Sequence, residues 1–527
     1  MTEFSQWTSV TQWILAALPI LTVLILMTRF QWGGARAGAA GWFIAMIVAA
    51  LFFGAELEIL IHSQTKGILL TLYVLYIVWA ALLLYFITDQ IGAIAKIGQA
   101  IQTLTASREL QLLIIGWVFA SFLQGVAGFG VPIAVVAPLL LAMRFSPLVA
   151  VAAPAIGHSW SVTFGNMATS YEALLAVTGM QSAALAQWSA FLLGISCLLC
   201  GWAVLMVYGG WKSVRRALWP LVIIGSVMAI TQYILVSLSI WTIGGFTAGI
   251  FGLLVSIPVA KYFCKNTQDE TTEAELEPEI KTDISLFWAM SAYLIFIAVI
   301  IAASFIAPIK ELLNHVKLTL EFPALSTNHG WQTPAGDGKS ISIFGHAGAH
   351  LLYTALLAFL LYWYKGFYKL SAAKNILKKT AKSAIPTSLG MVSMVCFAVV
   401  MDHSGMTYTL AQGISVASSV LYPVVAVAIG SLGAFMTGST TNSNVVFGTF
   451  QIHAAQIGNF NIPLILAAQT VGASLGSMLA PAKILIGCST VGLGGKEGEV
   501  LKTTLKWGIY LVGIIGIIVL FINFVIG

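Results

Sequence analysis

Apolar runs of about 20 residues, the length that crosses the hydrocarbon core of a bilayer as a helix, follow one another along most of the chain and are separated by short polar turns. The pattern predicts spans over residues 10–28, 37–54 and 68–88, then a partly amphipathic stretch at 91–105 that lies along one membrane face. Further spans are expected over 188–208, 217–236, 241–263, 284–307, 344–364, 385–401 and 507–526. The segment 308–342, with Pro323, Pro334, Gly336 and Gly338, is too polar to cross and reads as an external loop. With the interrupted regions included, about eleven to fourteen crossings are expected. The fold class is an all-α polytopic membrane protein.

Two regions break this pattern, and they repeat each other. FLQGVAGFGVPIAVVAP from Phe122 is followed by PLVAVAAPAIGHSWSVTFGN from Pro147; FMTGSTTNSNVVFG from Phe435 is followed by PLILAAQTVGASLGSMLAPAK from Pro463. Each copy carries F-x-x-G, then P-L with Ala-Ala behind it, then G-x-S. Backbone released from helical hydrogen bonding survives at membrane depth only where protein or a wet cavity surrounds it. Matching Gly and Pro interruptions in two halves point to the binding site of a secondary transporter. Two inverted repeats with broken helices or re-entrant hairpins are therefore expected, with the transport site between them.

Composition and charge sharpen the class. Hydrophobic residues make up 59% of the 527 and charged residues 8%, against roughly 25% charged in a soluble domain, which excludes a soluble enzyme. From Phe145 to Trp211 the only formal charge is Glu172, and from Ala384 to Ala482 it is Asp402. The net charge of +6 is dispersed through short loops, a topology signal rather than a nucleic-acid footprint. Arg29 and Arg36 put the first loop inside, Glu56 and Glu58 lie outside, and the run from Lys365 to Lys382 is inside. On this count the first repeat is entered from inside and the second from outside. The acidic run from Asp269 to Glu279 makes residues 265–283 a solvated linker between a membrane half at 1–264 and another at 284–527. The first apolar run has Glu3 and no basic residue ahead of it, so it reads as a span rather than a cleavable signal. Five scattered cysteines make no disulfide framework, and Cys197 and Cys200 read as packing residues.

Within the second break, Thr437, Ser439, Thr440, Thr441, Asn442, Ser443 and Asn444 fall in eight positions. Their hydroxyls and amides, with half-helix N-termini, suit a small carboxylate; the alternative is a polar helix-packing seam. In the first break Gly125, Gly128 and Gly130 surround Phe129 and allow close approach of a ligand or another backbone, while Gln124 offers a donor and an acceptor. Downstream, His158, Ser161 and Asn166 match Ser474 and its neighbours, and the second copy ends in Lys483. A lysine there is either a counter-charge for a substrate carboxylate or a side chain snorkelling to the interface. His158, Glu172 and Asp402 are the proton-coupling candidates. His346 and His350, at i and i+4, have the spacing of a metal or haem ligand pair, but no second pair at comparable depth, and interface histidines are the simpler reading. No metal and no cofactor are expected.

With these segments in place the chain resembles the L-lactate permease family of bacterial proton symporters over essentially its whole length. The matching residues are FLQGVAGFGVP from Phe122, GHSWSVTFGN from Gly157, MTGSTTNSNVVFG from Met436 and GLGGKEGE from Gly492. The resemblance implies uptake of L-lactate and related short 2-hydroxy monocarboxylates such as glycolate, with protons, across the bacterial inner membrane. Family members generally look acidic where this chain has Gln124 and Thr440, which puts the coupling ion in question. A sodium-coupled or exchange carrier for another small organic anion is the alternative, and a membrane subunit of an oxidoreductase a more distant one.

Overall fold

The computed structural model describes residues 10–30, 32–102, 104–128, 130–263, 284–493 and 497–526. Phe129 and the linker 265–283 lie outside them. Twelve helices among these residues are long and apolar enough to cross a membrane, thirteen with the bent pair Pro147–Ser161 and Asn166–Thr178 counted as one span. Three open the chain: α1 (Val10–Thr28), α2 (Gly34–Phe52) and α3 (Leu57–Gln90), followed by the amphipathic α4 (Ala93–Gln102).

The first repeat consists of α5 (Arg108–Ala127), α6 (Val131–Ala142), α7 (Pro147–Gly157) and α8 (Thr169–Thr178). At 1.5 Å per residue α6 is only about 18 Å long, too short to cross. It returns the chain to where α5 began: the Arg108 guanidinium donates to the Met143 carbonyl at 2.6 Å and lies over the Phe145 ring. Helix α9 (Ala183–Ser237) is two spans in one run. Backbone angles leave the helical region at Gly209 and Gly210, after which the chain doubles back so that Gly194 faces Ala229 and Gly201 faces Leu221. Then come α10 (Gly244–Phe263) and α11 (Leu286–Phe305).

The polar loop holds more structure than its composition indicated. After α12 (Ala307–Leu313), strands β1 (Lys317–Leu318) and β6 (Ile341–Ser342), β2 (Glu321–Phe322) and β5 (Gly336–Asp337), and β3 (Leu325–Ser326) and β4 (Gln332–Thr333) pair antiparallel in nested order, forming one β-hairpin. It leads into α13 (Ala347–Tyr364), α14 (Ala372–His403) and the short α15 (Met406–Ser418).

The second repeat is α16 (Tyr422–Thr437), α17 (Thr440–Gly458), α18 (Ile462–Gly476) and α19 (Pro481–Thr490), with α20 (Glu497–Ile526) closing the chain. Helices α16 and α17 also form a hairpin: the Tyr422 hydroxyl donates to Gln451 Oε1 at 2.6 Å, its ring stacks on Phe460, and Ser443 Oγ donates to the Gly430 carbonyl. Both breaks are thus helical hairpins, each followed by a broken span.

Helices α3 and α14 run antiparallel and fix the two ends of the molecule, Lys66 meeting His403 at one and Lys379 meeting Asp89 at the other. The first hairpin opens toward the Asp89 end, where Gly98 of α4 packs on Leu139. The second opens toward the Lys66 end, where Asp402 meets His453 and Trp331 of the β-hairpin packs on His453 and Tyr408. Each returning helix packs on the far half of the other repeat's broken span, α6 on α19 and α17 on α8.

Candidate functional site

The hairpin turns are made by glycine in the left-handed region, Gly130 at φ 89° and Gly438 at φ 69°, where a Cβ would be strained. The aligned F-x-x-G motifs place Gly125 opposite Gly438, but the structure pairs Gly130 with it. Gly125 lies inside α5, where a Cβ would stand 2.5 Å from Phe246 Cα of α10. The packing reading therefore accounts for Gly125.

The two broken spans cross at their G-x-S motifs. Ser474 Oγ donates to the Ser159 carbonyl at 2.6 Å and accepts from the Thr163 amide, and Thr163 Oγ1 meets both the Thr470 carbonyl and Thr470 Oγ1 at 3.1 Å. After the crossing the first span stays irregular to Ala168, with Asn166, Met167 and Ala168 all at positive φ. The second makes one 3₁₀ turn, Ser477–Leu479, before α19.

Most of the hydroxyls expected to meet a ligand are bonded to backbone within their own turn or hairpin, and Thr440 to the neighbouring span. Ser161 Oγ donates to His158 O, Thr437 Oγ1 to Gly433 O and Ser439 O, Thr440 Oγ1 to Ala473 O and Ser443 Oγ to Gly430 O, while Ser439 caps α17 by accepting from the Asn442 amide. Asn444 Nδ2 donates to the Ser170 carbonyl and to Thr470 Oγ1 at 2.9 and 2.8 Å. Glutamines complete the lattice, Gln451 Nε2 donating to Gln469 Oε1 and Gln469 Nε2 to Ser443. In part, then, the Ser/Thr run is the packing seam weighed as its alternative.

What remains uncommitted is a smaller set. Gln124 Oε1, Asn166 Oδ1, Asn444 Oδ1, His158 Nε2 and Ser477 Oγ are buried without a hydrogen-bond partner among the described residues, and buried polar groups left so call for a water, an ion or a ligand. The Asn442 side chain is likewise without a partner among them. His158 Nδ1 donates to the Pro154 carbonyl, leaving Nε2 as an acceptor. Gln124 and Asn166 both border Gly128, and Lys483, buried on α19, reaches within 3.9 Å of where a Gly130 Cβ would stand. Lys483 makes no ion pair among the described residues. Gln124 thus lies with Asn166 and the first hairpin turn, whereas residues 440–444 lie against Ser170, Thr470 and Ala473. The crossing at Thr163 and Ser474 connects the two groups. A cavity of about 590 Å³ runs from the α1–α2 turn at Trp32 to the second hairpin turn at Thr437 and Gly438 and the start of α19 at Pro481.

The coupling candidates lie apart from one another. Glu172, two residues beyond Ser170 on α8, accepts from Tyr73 Oη at 2.7 Å and Trp241 Nε1 at 2.8 Å and lines two adjoining cavities beneath the β-hairpin. Asp402 pairs with His453 at 3.3 Å near the end of α14. His346 is the N-cap of α13: its Nδ1 accepts from the Gly348 amide, so the ring proton is on Nε2 and no lone pair faces outward for a metal or haem. Sequence reasoning did not single out Ser170, Thr470, Gln469 or Tyr73, whose signal is no more than a polar residue inside a span. Nor did it single out Lys339, which stands in a polar loop where lysine is unremarked.

The family profile described as L-lactate permease matches residues 12–526. The chain belongs to the L-lactate permease family. It is 30% identical to the L-lactate permease of Salmonella typhimurium, over 96% of this chain and 94% of that one, and 26% identical to the glycolate permease of Escherichia coli K12, over 96% and 95%. Among solved structures, the antimetabolite efflux pump MtrF of Neisseria gonorrhoeae superposes with a TM-score of 0.50 at 13% identity, covering 95% of this chain and 97% of that one, a likeness of fold alone. The permease is therefore a multi-pass membrane transporter and not an enzyme; in bacteria that membrane is the inner one.

Proposed function

We propose that this permease takes up L-lactate and related short 2-hydroxy monocarboxylates, glycolate among them, with a proton. The observation that carries the reading is Lys483, a buried lysine with no carboxylate beside it among the described residues, whose Cγ lies 3.9 Å from where a Cβ on the hairpin-turn Gly130 would stand. An unpaired charge at such depth is costly, and a substrate carboxylate on Lys483 and Ser477 Oγ would relieve it. The 2-hydroxyl would donate to Gln124 Oε1 or Asn166 Oδ1, which otherwise lack a donor. Names of relatives at 30% and 26% identity, lactate and glycolate permeases, support this substrate class.

Alternating access follows from treating the repeats as inverted. Lysine-rich loops assign the Asp89 end to the cytoplasm, so the first hairpin enters from inside and the second from outside, and rocking of one repeat against the other exposes the crossing to each side in turn. In this reading Glu172 carries the proton; that it lines a cavity and sits two residues from the Ser170 contact with the second hairpin supports the role. The orphaned amide oxygens of Gln124 and Asn166 favour sodium as the second reading, because neutral oxygen ligands suit a hard cation. Uptake of radiolabelled L-lactate into proteoliposomes under an imposed proton gradient, then under a sodium gradient, separates the two. Propionate, which lacks the hydroxyl, is expected to compete weakly; equal competition by both acids contradicts a hydroxyl-reading site.

A further inference from the structure

Beneath the β-hairpin two cavities of about 290 and 270 Å³ share Tyr73, Glu172, Ser239 and Trp241, and neither is lined by a residue of the hairpin turns. The smaller one is lined by His346, which is 6% exposed. Its ring is fixed on both sides, edge-on to Tyr73 at 4.4 Å and stacked on Tyr76 at 5.1 Å. Because Nδ1 accepts the Gly348 amide, Nε2 carries the proton, and that N–H is buried without an acceptor among the described residues. Burial, with His350 and Lys339 nearby, holds the His346 pKa down to about 4, so the ring is a neutral donor at pH 7. Lys339 lines the larger, adjoining cavity, reaching in from the β-hairpin with Nζ 4.9 Å from the centre of the Tyr73 ring that both cavities share. Glu172 does not answer the His346 donor: its oxygens accept from Tyr73 and Trp241, and His346 Nε2 has no acceptor among the described residues.

A fixed N–H donor and an ammonium, in a space whose own carboxylate is occupied, make a receptor for a second carboxylate. Across the two adjoining cavities Lys339 stands against the single carboxylate, Glu172, so the joined space carries no net negative charge. We propose that this vestibule is an access site where a short monocarboxylate docks before passing to the hairpin turns, one oxygen accepting from His346 Nε2 and Lys339 supplying the counter-charge. The inference rests on the transport reading above for the identity of the acid, but on different residues for its site.

Counting radiolabelled L-lactate bound to the purified full-length protein tests it. Two classes of site are expected in the unaltered chain. Lys483→Met should remove the one at the hairpin turns and leave one lactate bound, and adding His346→Leu or Lys339→Gln should weaken that remaining binding at least tenfold. His346→Gln, which keeps an N–H donor, should retain most of it. A single lactate in the unaltered chain, lost with Lys483→Met and indifferent to His346→Leu and Lys339→Gln, overturns the proposal. Two lactates bound by the Lys483→Met variant, one of them lost with His346→Leu, would support the vestibule while refuting the assignment at Lys483.

Discussion

Replacing Lys483 by methionine separates a role in binding from a role in packing, because the two effects have opposite signs. Lys483 is 8% exposed at the third position of α19 and makes no ion pair among the described residues. In the empty protein its removal takes away a buried charge, whose cost at the bilayer centre is about 3 kcal/mol on insertion scales, so the ligand-free variant should melt at a higher temperature. In the loaded protein it takes away a charge-assisted hydrogen bond worth about 1.5–3 kcal/mol, which corresponds to roughly a 10- to 150-fold loss of affinity. Thermal melts of purified protein with and without saturating L-lactate read both effects, since a ligand raises stability in proportion to the logarithm of its concentration over Kd. A variant that melts lower when empty and gains as much from lactate as the unaltered chain would refute the reasoning.

Three further outcomes follow from the same geometry. Glu172→Gln should abolish stimulation of uptake by an inward proton gradient while lactate exchange across proteoliposome membranes continues; full stimulation in the variant would remove Glu172 from coupling. Gln469→Leu leaves Gln451 Nε2 without its 2.9 Å acceptor and Ser443 without a donor, and should lower stability by about 2 kcal/mol, as read by melting temperature. Gly125→Ala puts a methyl group 2.5 Å from Phe246 Cα and should destabilise α5–α10 packing by about 1–3 kcal/mol; folded variant protein should bind lactate with unaltered affinity in the same radioligand assay.

Much of the frame was legible because hydrophobic run length and its interruption are local properties. Residues 10–28 formed the helix expected of them, and the two repeats turned back where glycine and polar residues interrupted the apolar pattern. The nested β-hairpin at 317–342 was not legible, because its two-residue ladders are closed by pairing across a polar loop and carry no sustained alternation. Which of Gly125, Gly128 and Gly130 makes the turn was not legible for a similar reason: F-x-x-G alignment records residue type, whereas the contact of Gly125 with Phe246 is long-range. The hydroxyl run 437–444 was visible as an anomaly, but its division between structural bonds to backbone carbonyls and free groups depends on where Gly430, Ser170 and Ala473 come to lie. Lys339 and His346 gain meaning only once the β-hairpin folds over α3 and brings both to Tyr73.

The most direct measurement is an experimental density map of the full-length protein in saturating L-lactate. The account predicts two helical hairpins turning at Gly130 and Gly438, with density between them for a lactate, distinct from any in the vestibule, whose carboxylate meets Lys483 and whose hydroxyl meets Gln124 or Asn166. Continuous helices through those turns, or a lactate bound remote from Lys483 with the crossing at Ser474 left dry and closed, would contradict it.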